Sequence, residues 1–341
     1  MKHRISDRPL SSLMKLAITA RIASGVIIDM PGLLNAGWIA ILFGGVLSIP
    51  PLFAIVQCRQ ANVRLPRSSA FILLLLFLFD SASVADLLAD SAGYMALNST
   101  FPAYLLLPLF LLCLACLRLN GNAIGTSASF WNRILPWIAL IVVIIQFRDY
   151  EPLWLTPLLG PGIREITHEA FRIAGWITLY SALFLITESD RPEDVSLPLR
   201  TVFAATLFSA GVCVIFSMMT PTIADITLFK RSFRLDALLA NGRTSLALQI
   251  PSITLWYIGL FFALLLDAFA CAMLLQRCLP QWNRYACTFA ALTVVFILSS
   301  AGKAGRAASL TAAALYYPLL CSVIAAVMII KYIRKEGSFR A

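Results

Sequence analysis

The chain has 341 residues, of which 60% are apolar and only 13% charged, with 27 Lys and Arg against 17 Asp and Glu for a formal net charge of +10. Its apolar residues suffice for roughly ten helices of ~20 residues each, which excludes a water-soluble single-domain enzyme and a disordered chain. The length excludes a small disulfide-stapled secreted domain, and the positive excess reads as a membrane-topology signal rather than a nucleic-acid footprint.

The start, residues 1–9, is polar and basic, and the apolar stretch after it is long and lacks a convincing cleavage site, so no cleavable signal peptide is expected. Apolar runs after it predict a single polytopic all-α domain over 1–341, with spans at 11–36, 38–58, 70–97, 101–118, 122–147, 164–187, 199–222, 246–276, 284–302 and 307–332. An inside N-terminus puts most Lys and Arg of the short loops, Arg133 among them, on the cytoplasmic side. Both termini are then cytoplasmic. The connection from Asp225 to Arg243 carries Leu228, Phe229, Ser232, Phe233, Asp236 and Leu239 at helical spacing and reads as an amphipathic helix on the outer face.

In the first span Gly25 lies near the middle and Pro31 six residues later, a place where a helix can unwind against protein or a wet cavity. The sixth span repeats the string Arg, Ile, Ala at Arg172, Ile173 and Ala174 before Gly175, echoing Arg21, Ile22 and Ala23. Helices five spans apart run in opposite directions. Matching interruptions there predict a five-plus-five inverted repeat, with helices 1 and 6 broken around a midplane site. The alternative is that both glycines only allow close helix packing.

Asp80 falls near the midplane of the third span, where a carboxylate calls for a partner or a function. Ser83, Asp86 and Asp90 follow on one face at spacings of three and four. Arg21 and Arg172 are the candidate partners of Asp80, with Asp267 in helix 8 and Lys15 as further members. A structural ion pair, a neutral acid and an ion or proton path all fit this pattern. The two histidines, His3 and His168, are far apart in sequence, and no metal-ligand cluster, phosphate loop or nucleophile elbow is present in the sequence. Cys113 and Cys116 have zinc-ligand spacing but no second pair, so packing is expected. The segment Gly160 to Gly162 reads as a turn. No metal, cofactor or nucleic-acid partner is expected.

An ordered string of short segments resembles the spore germination permeases, the B subunits of nutrient germinant receptors within the amino acid, polyamine and organocation transporter superfamily. The segments are Ile5 to Leu10, Ser24 to Pro31, Ala36 to Gly45, Leu155 to Ile163, Thr220 to Thr222, and Leu255 with Trp256, and the resemblance extends over essentially the whole chain. The resemblance implies the inverted-repeat fold and a small-molecule nutrient, typically an amino acid, sensed in the spore inner membrane. It also implies A and C subunits as partners, together with the lipid bilayer. It places the ligand against Ala23, Ser24, Gly25 and Val26 of helix 1 and Ala174, Gly175 and Trp176 of helix 6, with Phe79, Ser83 and Trp256 closing the pocket. Arg21, Asp29 and Arg172 depart from the family pattern and point to a ligand other than a plain apolar amino acid. With Asp80, Asp86, Asp90 and Asp267 they form the set of buried or coupling charges. Three readings follow: a nutrient sensor, an H⁺- or Na⁺-coupled transporter of amino acids or other small solutes, and, least favoured for want of paired catalytic groups, a membrane enzyme.

Overall fold

A computed structural model describes residues 6–26, 33, 35–61, 65–96, 102–118, 121–146, 159–160, 162–187, 196–219, 246–300 and 315–329, with no strand among them. The helices are α1 (Asp7–Ser24), α2 (Gly37–Leu47), α3 (Ile49–Gln60), α4 (Arg67–Ala96), α5 (Pro102–Arg118) and α6 (Gly121–Gln146). After these come α7 (Ile163–Ser181), α8 (Leu183–Ile186), α9 (Ser196–Met219), α10 (Leu246–Cys278), α11 (Arg284–Ser300) and α12 (Leu315–Ile329). Every expected span overlaps a helix or a pair of consecutive helices. Five of these segments are by themselves long and apolar enough to cross a bilayer: Gly37–Gln60, Arg67–Ala89, Ile163–Ile186, Ser196–Ile215 and Tyr257–Cys278. The Asp225 to Arg243 segment, the link carrying Leu155, and Thr220 to Thr222 lie outside the described residues.

Two groups of four segments emerge from the packing. In the first, α1 lies on α9 and α7 on α2, while α2 and α9 also touch. In the second, α4 lies on α10, and α5 and α11 pack on that pair. Helix 1 thus meets helix 7 as helix 6 meets helix 2, and helices 3 and 8 meet each other. That pairing is the one two inverted five-helix halves produce. The groups join chiefly along α1 and α10, where Gly259 lets α10 approach Ala20 so closely that an added Cβ would stand 2.8 Å from the Ala20 Cβ. Polar contacts tie the first group together. Ser11 and Thr201 share a hydrogen bond of 2.6 Å between α1 and α9. Asp7, at the start of α1, pairs at 2.7 Å with Arg59, whose guanidinium lies 5.1 Å from the Phe184 ring.

Large apolar side chains also cover the outside. Phe53, Phe71, Leu111, Ile144, Phe203, Phe289 and Ile297 are exposed, an arrangement that suits hydrocarbon rather than water. Arg133, counted above with the inner loops, instead lies exposed within α6.

Two expected interruptions differ in detail. Helix 1 remains α-helical through Ser24, and Gly25 and Val26 form a π turn before the described residues stop. Helix 6 runs unbroken through Gly175, and its irregularity falls at Ala182, between α7 and α8. The Arg, Ile, Ala echo therefore does not mark equivalent breaks. Gly175 is buried inside a continuous run of α7, so a glycine there does not by itself unwind the helix. Ahead of α7, Gly160 and Gly162 take φ of 38° and 100°, and the Gly162 N–H donates to the Leu159 carbonyl at 2.7 Å, which makes this segment the expected turn.

Candidate functional site

The seam between the two groups carries the buried charges. Arg21 lies in the last turn of α1 and is 1% exposed. Its Nε donates to Asp80 Oδ1 at 2.9 Å, and its Nη2 donates to Ser83 Oγ at 3.0 Å. Asp80 and Ser83 can share one guanidinium because three residues separate them on the same face of α4. Asp80 lies 13 residues from the start of α4, about 20 Å along the helix axis at 1.5 Å per residue. An ion pair at that depth persists only with its remaining polar atoms satisfied as well.

The next layer comes from α7. Trp176 and Tyr180 are four residues apart and project from one face. The Trp176 ring centroid is 4.3 Å from the Arg21 guanidinium carbon, close enough for a cation–π contact. The ring also fills the space that the missing side chain of Gly25 leaves, since a Cβ there would fall 2.3 Å from Trp176 Cη2. Tyr180 donates its hydroxyl hydrogen to Asp80 Oδ2 at 3.0 Å. The Tyr180 hydroxyl oxygen also lies 3.4 Å from Asp267 Oδ2 on α10. Tyr180, Asp80 and Asp267 are fully buried, as are Cys271 one turn after Asp267 and Tyr316 on α12. Asp267 Oδ1 and the Tyr316 hydroxyl have no hydrogen-bond partner among the described residues.

The expected site residues thus separate. Arg21, Gly25, Asp80, Ser83, Trp176 and Asp267 come together, and Ser24 lies beside them, its hydroxyl donating to the Arg21 carbonyl at 3.0 Å. Ala23 and Val26 are buried in the core beside this turn, as is Ala174 on α7 next to Gly175. Phe79 is half-buried, and Phe77 is the ring that meets Tyr180 edge-on, at 6.4 Å between centroids. Asp86 is buried further along α4. Arg172 does not reach Asp80; it pairs with Glu169 at 2.9 Å on its own helix. It precedes Tyr180 by eight residues, about 12 Å along the axis, and so sits at another depth. His168 is exposed and contacts Glu169 at 3.3 Å. Asp29 lies outside the described residues, as do the side chains of Asp90 and Trp256.

Comparison with solved structures places this arrangement in a known architecture. MHP1, a nucleobase-cation-symport-1 family transporter in a closed conformation with bromovinylhydantoin bound, matches with a TM-score of 0.66 at 14% identity, over 94% of this chain and 76% of that one. Two variants of the Eremococcus coleocola manganese transporter match at 12% identity with TM-scores of 0.54 and 0.52, each over 95% of this chain and 78% of theirs. The chain has an inverted-repeat transporter fold. It is a multi-pass membrane protein. At these identities the likeness speaks for the fold alone and does not single out the germination permeases. No protein-family model matches the chain, and no characterised protein matches it by sequence.

Proposed function

We propose that the protein is a secondary transporter that carries a small solute through a site between α1, α4, α7 and α10. The observation that supports this most is the fully buried set of Arg21, Asp80, Tyr180 and Asp267, contributed by four helices from both packing groups. Charges are costly at bilayer depth, and a purely structural seam could be built from apolar side chains at lower cost. A cluster that binds the two groups together and can exchange partners is suited to a cycle in which one group moves against the other. Trp176 lies over Gly25 at the π turn of helix 1, and in this reading the ring moves aside when solute enters. Uptake of a mixed panel of radiolabelled amino acids, nucleobases and manganese into proteoliposomes tests the proposal. Accumulation above empty liposomes supports it, and none from any class counts against it.

The resemblance of Ser24 to Pro31 and Ala36 to Gly45 to the germination permeases supports a second reading, a nutrient receptor subunit acting with A and C subunits. In that case the ligand shifts the same helices without crossing the membrane, by binding one packing arrangement better than the other. Loss of nutrient-triggered germination in a deletion strain, with no uptake by the purified chain, selects this reading.

A further inference from the structure

We propose that Asp267 carries an exchangeable proton that serves as the coupling ion, passed through Tyr180 to Asp80; the coupling role rests on the transporter reading above. The inference begins with hydrogen counting. A phenol has one hydrogen, and Tyr180 gives it to Asp80 Oδ2, the nearer acceptor at 3.0 Å. The Tyr180 oxygen then faces Asp267 Oδ2 at 3.4 Å with lone pairs only, so the contact is attractive only if Asp267 supplies a hydrogen of its own. Asp267 Oδ1 points the same way. Fully buried and without a partner among the described residues, it is tolerable as the carbonyl oxygen of a neutral acid and costly as part of a carboxylate.

Charge counting agrees. Tyr180 from α7 is in contact with Asp267, and Arg21 from α1, Asp80 from α4, Tyr316 from α12 and Cys271 from its own helix lie within electrostatic range of it. The remaining described charges on α1, α4 and α10 lie at least six residues along their helices from Arg21, Asp80 or Asp267, among them Lys15, buried Asp86 and Arg277, and the other helices packed on α10 bring only Arg118 and Arg133 among those described, both exposed. One guanidinium therefore stands against two carboxyl groups. Arg21 and Asp80 neutralise each other at 2.9 Å, which leaves Asp267 to be neutral by holding a proton.

The geometry then gives a balanced transfer. The Asp267 proton moves to the Tyr180 oxygen as the Tyr180 proton moves to Asp80 Oδ2. Asp267 becomes a carboxylate, Asp80 a neutral acid, and Tyr180 is unchanged. Total charge is conserved, and the counter-ion of Arg21 passes from Asp80 on α4 to Asp267 on α10. The proton thus decides which helix of the second group carries the charge that balances Arg21.

Infrared difference spectra of the full-length protein in detergent, read at the C=O stretch of protonated carboxyl groups, test this without any transported solute. Relative to the wild type, Asp267→Asn loses the intensity of one protonated carboxyl. Asp80→Asn loses the same amount, because Asp267 then ionises to balance Arg21. Arg21→Gln gains one, because Asp80 takes up a proton. Unfolding would abolish the buried signal in every variant, so the gain in Arg21→Gln separates the charge count from misfolding. Wild-type intensity in Asp267→Asn, or loss in all three variants, overturns the proposal. Replacing choline chloride by sodium chloride leaves the signal unchanged; its disappearance would mark a sodium site and overturn the proton. Failure of this pattern leaves the transporter reading intact, whereas failed uptake with the pattern present removes the coupling role and keeps the protonated acid.

Discussion

Gly25→Ala drives a methyl group into the Trp176 ring. The added Cβ falls 2.3 Å from Cη2 and 2.4 Å from Cζ3, whereas carbon atoms pack at about 3.5 Å, so the ring must retreat by roughly 1.2 Å. Trp176 is fully buried, and retreat also draws it from the Arg21 guanidinium 4.3 Å away. Overpacking of this kind costs about 1–3 kcal/mol, and a weakened buried cation–π contact adds up to about 1 kcal/mol. The variant is expected to lose about 1–4 kcal/mol of stability on these terms. Trp176→Phe removes the outer ring atoms and leaves a void that itself costs about 1–3 kcal/mol. In the double variant the new methyl group enters that void, so the combined loss is smaller than the sum by about 1–3 kcal/mol. Unfolding of all four proteins in mixed micelles measures this coupling. Additivity within about 0.5 kcal/mol would refute the claim that Trp176 lies over Gly25.

Asp80→Ala removes the hydrogen-bonded partner of Arg21 and leaves Asp267 to ionise in its place, so the loss in the same unfolding measurement is expected to fall below the ~3–5 kcal/mol of a wholly unpaired buried charge. Pairing it with Arg21→Met recovers most of that loss, because Asp267 then stays neutral and no buried charge is left to balance. Arg172→Gln removes only an ion pair with Glu169 one turn away on α7, so stability changes by less than about 1 kcal/mol and the carboxyl spectrum stays as in the wild type.

Much of this architecture could be read from apolar runs, because a helix that spans a bilayer must announce itself by about 20 apolar residues. The Arg21 and Asp80 pair was legible for the same reason, as charges in such runs stand out and depth limits their partners. Arg172 misled because it looks equivalent to Arg21 in one dimension. Its own helix supplies Glu169 one turn away, and its level does not reach Asp80. Tyr180 and Tyr316 were missed, since a phenol in an apolar run carries no charge to mark it. Tyr180 was recoverable from its four-residue spacing to Trp176, which puts both on one helix face. The interruption of helix 6 was misplaced because Gly175 in a closely packed helix and a glycine at a break look alike in sequence.

The most direct test of the account is uptake of the mixed radiolabelled panel by proteoliposomes with an imposed acid-outside pH gradient. The account predicts that one component accumulates in wild-type liposomes, that a protonophore abolishes the accumulation, and that Asp267→Asn equilibrates solute without concentrating it. Accumulation by Asp267→Asn at the wild-type level, or indifference of the wild type to the gradient, would contradict it.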